Sequence, residues 1–303
     1  MSDSYDLIVV GEGMTGLTCA NHAASLGLRV ATIEANVFGG LVINIADLED
    51  YTEHGSGVDL AAKLMEANAE AGVTSINGTV TAIDGATGSF RVDVDGEPHR
   101  ARAVVIASGA RFARLGVPGE EEFDHRGVSQ CADCDGPMFQ GEHVVVIGGA
   151  DSAFQEAVTL AGMAGKVTLL MRGGASRARP SLIERVKSKP NVTIVPETVV
   201  EEITGTNTVD GIRVRSTKDG STSKIDCAGV FVFIGLTPNS EPAPAAVQRS
   251  GSGHIVTDAD LQTAVSGIFA AGAVRAGYSG RLVDAETEGR KAAEIIARGL
   301  GTA

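Results

Sequence analysis

The 303-residue sequence sets 25 Lys and Arg against 38 Asp and Glu, and its formal net charge of −13 argues against nucleic acid or an anionic membrane surface as a partner. With 43% hydrophobic and 21% charged residues, the chain is long enough to build two domains with sizeable cores. No apolar stretch approaches a membrane span, Met1-Ser2-Asp3-Ser4-Tyr5-Asp6 lacks the basic region of a signal peptide, and four cysteines without a disulfide framework point to a reducing compartment, the cytoplasm.

The chain opens as strand, glycine turn and helix. Asp6-Leu7-Ile8-Val9-Val10 is an apolar run suited to a buried parallel strand. Gly11-Glu12-Gly13-Met14-Thr15-Gly16 fits G-x-G-x-x-G, an alanine-rich helix follows to about Leu26, and a second strand at 29–33 ends at Glu34. The glycine pattern alone is weak, but with a strand before it, a helix after it and an acid at the second strand's end it predicts a dinucleotide site. Gly11 permits the turn, Gly13 lets a pyrophosphate approach the backbone, and Gly16 lets the helix pack closely. The helix start at Met14 and Thr15 faces the pyrophosphate, and Glu34 accepts from a ribose hydroxyl.

Phe38-Gly39-Gly40 offers a backbone that a flat or bulky group can approach. The pattern predicts a helix over 58–71, then strands between 73 and 94 around a turn at Asp84-Gly85-Ala86-Thr87-Gly88. Ala103 to Ala110 reads as a buried strand ending in a glycine loop, with Ala107 and Gly109 in it, and Leu115-Gly116-Val117-Pro118-Gly119-Glu120 as a crossing between domains.

Next comes Cys131-Ala132-Asp133-Cys134-Asp135. Two cysteines three apart at the start of a helical turn can close a disulfide and cycle between dithiol and disulfide, and Asp135 is placed to move a proton as a thiolate leaves or returns. Half a zinc site and an inert buried pair are the rival readings; Cys19 and Cys227, the only other cysteines, read as core thiols. No metal is expected. His125 can serve as a base if it folds over the sulfurs, or be a plain surface histidine, as His143 can.

A second copy of the opening plan follows. Residues 143–147 form a strand, Gly148-Gly149-Ala150-Asp151-Ser152-Ala153 a nucleotide-type loop, then a helix to about Ala164 and a strand at 167–171. Further strands are predicted near 192–195, 198–203, 210–215 and 224–234. Segments 7–11 and 104–109 thus mirror 144–148 and 231–235, an internal duplication of a nucleotide-binding unit. Gly267 to Gly272 and a helix at about 283–298 lack a unit of their own and complete the first domain. The expected fold is α/β, with two Rossmann-like dinucleotide-binding domains, the second inserted in the first: 1–115 plus 243–303, and 116–242 carrying the CxxC.

These residues together resemble the low-molecular-weight thioredoxin reductases over nearly the whole chain. The resemblance implies a homodimeric flavoprotein with FAD in the discontinuous domain, held by Gly11, Gly13, Met14, Thr15, Gly16, Glu34, Gly39, Gly40, Ala107, Gly109, Gly272 and Ala273. It implies NADPH in the inserted one, held by Gly148, Gly149, Asp151, Ser152, Arg172 and Arg177. Cys134 would face the flavin, Cys131 would attack a thioredoxin-like protein or a small dithiol or disulfide, and Asp135 would be the acid. Several positions depart from the family pattern. Ala150 puts a methyl group where a glycine is usual, Met171-Arg172-Gly173 replaces His-Arg-Arg, Ala271-Gly272-Ala273 replaces Ala-Gly-Asp, Gly280-Arg281 stands for Arg-Gln, and Leu41 for Gln. Two other functions stay open beside the NADPH-driven reductase. One is an NADPH-independent relative, a dithiol oxidase using oxygen or a reductase fed by a ferredoxin-like protein; the other is a non-catalytic flavin-bound redox sensor.

Overall fold

A computed structural model describes residues 4–302 apart from 46, 47, 49, 50, 52 and 54; the first three residues of the start read above for a signal peptide lie outside this set. The chain divides into two compact units, Met1–Arg111 with Thr237–Ala303, and Phe112–Leu236. No described helix is long and apolar enough to cross a membrane.

In the first unit β1 (Ser4–Val10), α1 (Met14–Ser25) and β2 (Val30–Glu34) follow the predicted order. After a 3-10 turn at Gly40–Asn44 comes α2 (Gly57–Glu70), which starts on a capping box. Ser56 Oγ accepts the Asp59 N–H at 3.2 Å, and the Asp59 carboxylate accepts the Ser56 N–H at 3.1 Å. Then β3 (Thr74–Asn77), β4 (Val80–Ala86), β5 (Ser89–Val94) and β6 (Glu97–Ile106) complete the sheet order β3-β2-β1-β6-β5-β4. β1 lies parallel between β2 and β6, whereas β4, β5 and β6 run antiparallel, so β6 serves both the parallel core and the hairpin.

The chain leaves through β7 (Ala110–Phe112). In the second unit β8 (Val128–Ser129), α3 (Ala132–Asp135), a 3-10 turn at Gly136–Phe139, β9 (His143–Ile147), α4 (Asp151–Leu160) and β10 (Lys166–Leu170) come first. They are followed by α5 (Pro180–Lys187), β11 (Val192–Val195), β12 (Thr198–Gly205), β13 (Val209–Ser216), β14 (Thr222–Asp226) and β15 (Gly229–Val232). The chain returns through β16 (Leu236–Pro238), which pairs with β7, and finishes with β17 (Ile268–Ala270) on β6 and α6 (Leu282–Leu300). The parallel sheet has the order β11-β10-β9-β15-β8, and β12-β13-β14 form a separate antiparallel sheet.

The period of two along the central strands explains both cores. Leu7 and Val9 face α1 and α6, while Ile8 and Val10 face the side of Phe90 and Val92. In the second unit Val144 and Val146 pack with Phe154 and Leu160 of α4, while Val145 and Ile147 pack with Val200, Ile212 and Val214 of the antiparallel sheet. Each unit is therefore a Rossmann-like parallel sheet with helices on one face and antiparallel strands on the other, the duplication expected from the sequence.

The structure differs from the sequence reading in the run 224–234 and at α5. The predicted strand 224–234 is two strands, because residues 222–226 pair antiparallel at the edge of β13 while Gly229–Val232 run fully buried and parallel between β9 and β8. Helix α5 has no counterpart in the reading. Its signals are present: Pro180 in the first turn, Leu182 and Val186 buried on one face, and Arg185 and Lys187 in the last turn.

Phe231 of β15 and Phe139 of the turn after α3 meet edge to face, with ring centroids 5.4 Å apart, and any Cβ on Gly229 would come within 2.6 Å of the Phe139 ring. This contact seats the segment that follows the cysteines. Replacing the fully buried Phe231 by Ala is expected to cost about 3–5 kcal/mol. The check is a urea titration, in which the midpoint falls and the slope holds; a loss under about 1 kcal/mol would contradict this packing.

Candidate active site

Cys131 and Cys134 form a disulfide with Cα atoms 5.3 Å apart. Cys131 is the N-cap of α3, so its backbone is extended while Cys134 lies one turn on, which brings the two side chains to one face. The Cys134 N–H donates to Cys131 Sγ at 3.1 Å, and the Asp135 N–H to the Cys131 carbonyl at 3.1 Å. Cys134 is exposed and Cys131 half-buried. Ser129, absent from the sequence reading, holds the turn together: its hydroxyl donates to Asp135 Oδ2 at 2.6 Å and accepts the Cys131 N–H at 3.1 Å. With both sulfurs in one bond, the pair is not laid out as half a zinc site, and no group of three or more metal-ligating side chains gathers among the described residues.

A second residue missing from that reading is Glu156 of α4. Its Oε2 accepts the Ala132 N–H at 3.2 Å, and burial, with the nearby Asp133 charge adding to it, pushes its carboxyl up to about 7. The two remaining cysteines are different in kind. Burial pushes the Cys19 thiol up to about 12, and burial with Asp226 and Asp210 does the same for Cys227. His143 Nε2 pairs with Thr168 Oγ1 at 2.9 Å, and burial with the Lys166 charge lowers its pKa, while His125 sits at a left-handed turn residue with φ 57°. Neither histidine has a hydrogen bond to the cysteine turn.

The first glycine loop is a preformed cradle. Gly11 has φ 106°, and a Cβ there would run into the Ala107 carbonyl. Gly16 is pressed against the Gly11 carbonyl. Gly13, the N-cap of α1, has only the Gly39 carbonyl within 4 Å of an added Cβ, at 3.9 Å, and Gly40 would meet Gly13 Cα at 3.4 Å. The two loops therefore stand backbone to backbone, with the Gly39 N–H on the Glu12 carbonyl at 2.6 Å. No side chain caps α1 and no acid lies in its first turn, so the N–H groups of Met14 and Thr15 face no competing carboxylate from it. Glu34 is held at the end of β2 by the N–H groups of Glu12 at 2.9 Å and Asn36 at 3.0 Å. Asn239 clamps the 107–109 loop, taking the Ser108 hydroxyl on its carbonyl at 2.6 Å and giving its N–H to the Gly109 carbonyl at 3.0 Å, while Gly109 itself has φ 68° and open space at its α-carbon. An anion-ready helix start, an acid at the second strand and glycines that leave room above the backbone suit a dinucleotide such as FAD.

The C-terminal edge of the cradle is built differently. Gly272, φ 75°, abuts the Thr15 side chain and donates its N–H to Glu288 Oε2 at 2.7 Å. Arg275 binds the same carboxylate through Nε at 3.2 Å and through Nη2. Ala273, half-buried beside them, brings no polar group. Tyr278 donates to the Arg281 carbonyl at 2.6 Å, and its phenol is pushed up to about 12 by burial and then by Glu288 and Asp284.

The second loop repeats the first with changes. Gly148, φ 153°, presses on the Phe233 carbonyl as Gly11 does on Ala107, and Gly149 stands over Met171. Ala150 takes the N-cap of α4 with φ −120°, a conformation that alanine adopts without strain, so its methyl burdens only what approaches from outside. Asp151 occupies the first turn and binds Arg179 twice, through the backbone N–H at 2.7 Å and in an ion pair at 2.7 Å. Residues 176 and 177 also turn back onto the loop, with the Arg177 N–H on the Gly149 carbonyl at 2.7 Å. Ser152, Arg172 and Arg177 are exposed, and neither arginine side chain has a partner among the described residues.

Residues 5–289 match the family model described as pyridine nucleotide-disulphide oxidoreductase. The chain belongs to this family. It is 35% identical to the thioredoxin reductase of Treponema pallidum over 100% of this chain and 99% of that protein. It is 36% identical to the thioredoxin reductase of Listeria monocytogenes over 94% and 90% of the two. The crystal structure of Lactococcus lactis thioredoxin reductase superposes with a TM-score of 0.93 at 30% identity, covering 99% of this chain and 100% of that one. As a pyridine nucleotide-disulphide oxidoreductase with a closed CxxC, the protein is an FAD-dependent thiol-disulfide oxidoreductase.

The contrast between the cysteines is open to test. After mild reduction of the native protein, iodoacetamide at neutral pH is expected to label Cys131 and Cys134, with Cys19 and Cys227 unreacted until denaturant is added. Peptide mass spectrometry reads the result; fast labelling of Cys19 in the folded protein would contradict its placement.

Proposed function

We propose that the chain is a thioredoxin-reductase-like enzyme, a cytoplasmic homodimer that moves electrons from NADPH to a thioredoxin-like protein or a small disulfide by way of Cys131 and Cys134. The observation that carries this reading is the closed pair in one helical turn with the Asp135 carboxylate fixed beside it by Ser129. When bound, NADPH and FAD supply the two electrons that reach the disulfide. The remaining work falls to the chain. Opening the S–S bond leaves two sulfurs, and Asp135, held on the Ser129 hydroxyl, is the acid that passes a proton to one of them. In this reading Cys131 attacks the partner's disulfide and Cys134 exchanges electrons with the flavin.

Gly11, Gly13 and Gly16 open the first cradle, Met14 and Thr15 give their N–H groups to the pyrophosphate of FAD, and Glu34 takes a ribose hydroxyl. Gly39, Gly40, Ala107, Gly109, Gly272 and Ala273 bound the rest of that site. Gly148, Gly149, Asp151 and Ser152 form the second loop, and the free guanidinium groups of Arg172 and Arg177 receive the 2′-phosphate that distinguishes NADPH.

A second reading, electrons arriving without a nicotinamide cofactor, draws on specific observations: the Ala150 methyl, the Asp151 carboxylate in the first turn of α4, and the Gly149 carbonyl already taken by the 176–177 segment. Anaerobic mixing separates the two. NADPH is expected to bleach the flavin absorbance of the FAD-loaded protein, and Arg172→Ala or Arg177→Ala to weaken NADPH roughly ten- to hundredfold, the worth of a hydrogen bond to a charged group. Bleaching by a dithiol but by neither NADPH nor NADH would overturn the first reading in favour of the second.

A further inference from the structure

Among the described residues, Glu156 is the one carboxylate hydrogen-bonded to the cysteine turn to which the reading above gives no task. It reaches that turn from α4, the helix that begins at the second glycine loop, and accepts the N–H of Ala132, the first residue of α3 and the neighbour of Cys131. The Cys134 N–H is given to Cys131 Sγ, and Asp135 is occupied by Ser129. Glu156 and the sulfurs therefore share one small, hydrogen-bonded turn, and Ala132 at its centre is fully buried.

We infer that Glu156 is a positioning residue that takes up a proton when the Cys131–Cys134 disulfide is reduced, so that the carboxyl on α4 and the thiols on α3 act as one proton-coupled pair. The inference rests on the redox reading of the disulfide. In the oxidised turn neither sulfur carries charge, and the Glu156 carboxylate is the acceptor for Ala132. Reduction breaks the S–S bond with two electrons from a dithiol, which itself becomes a disulfide. One sulfur gains a proton; the other becomes a thiolate. A second negative charge in the same turn opposes the carboxylate, so the second proton goes to Glu156. Two electrons and two protons are consumed, and the turn carries a single negative charge before and after, counting only these groups.

The surroundings favour this exchange. The elements packed against α4 bring Asp133 and Asp135 of α3, Arg179, Glu184, Arg185 and Lys187 in or at the start of α5, Lys166 of β10 and His143 of β9. Of these, only Asp133 acts on the Glu156 carboxyl, raising it in addition to burial, while the Ala132 N–H opposes them. With its pKa about 7, the group is poised to titrate near neutrality.

The test uses the full-length, FAD-loaded protein. It is equilibrated with mixtures of reduced and oxidised dithiothreitol over a series of pH values, then alkylated, and the Cys131–Cys134 peptide is quantified. Above the Glu156 pKa the reduced-to-oxidised ratio at fixed potential is expected to change about a hundredfold per pH unit, and below it about tenfold, for two protons and one. Glu156→Gln, whose amide oxygen still accepts from Ala132, is expected to give the tenfold dependence on the alkaline side. Asp133→Asn, which removes a charge that raises the carboxyl, is expected to move the break to lower pH, and it serves if the glutamine variant does not fold. A reducible pair with the same pH dependence in parent and Glu156→Gln overturns this inference alone. A pair that no dithiol ratio reduces overturns the redox reading and this inference together.

Discussion

Both units are closed by a glycine pressed against a carbonyl. At the end of β1 it is Gly11 on Ala107; at the end of β9 it is Gly148 on Phe233. In each case the first strand of a parallel sheet must turn sharply away from the strand beside it, and any side chain at that point would push the two apart. The approach is possible because both strands are buried on both faces, so the sheet rather than the loop sets the spacing. Everything chemical in either unit hangs from this turn: the helix that starts after it, the N–H groups at that start, and in the second unit the carboxylate that α4 sends to the cysteines.

From a common frame the two helix starts have become electrically unlike. α1 begins with neither a capping side chain nor an acid, leaving its positive end for an anion. α4 begins with Asp151, which already neutralises Arg179 and fastens the following segment over the loop. The first arrangement is an open receptor and the second a partly self-satisfied one, in which affinity for a phosphate leans on Arg172 and Arg177 rather than on the helix. At the far edge of the first cradle a similar replacement has occurred, with the Glu288 carboxylate paired to Arg275 and accepting the Gly272 N–H beside the apolar Ala273.

Much of this was legible in the residues because the relevant patterns are local. Strand alternation in 7–10 and 144–147, the glycine spacings and the CxxC each depend on neighbours a few positions apart. What escaped the sequence depends on distant partners. Ser129 looks like any serine at a strand end until Asp135 turns back to it, and Glu156 looks like a solvated helix residue until α3 packs on α4. The run 224–234 hid a change of partner, since its first part needs only β13 while its second needs β9 and β8, and no composition shift marks the exchange at Cys227 and Ala228.

The two chain crossings, β7 and β16, lie side by side as a ribbon, and this bears on how the protein is made. The first unit lacks β17 and α6 until the whole inserted unit has left the ribosome. Until then α1 lacks Ala292, Ala293 and Ile296, the residues of α6 that join Cys19, Ala20 and Ala23 in one core. An unfolded insert would hold the missing pieces on a long, entropically costly tether. A folded one shortens that tether to the width of two paired strands. Order of synthesis and order of folding therefore run in opposite senses: the segment translated first is the last to become a closed domain, and chains cut short before residue 282 end with an exposed alanine-rich face for chaperones and proteases to find.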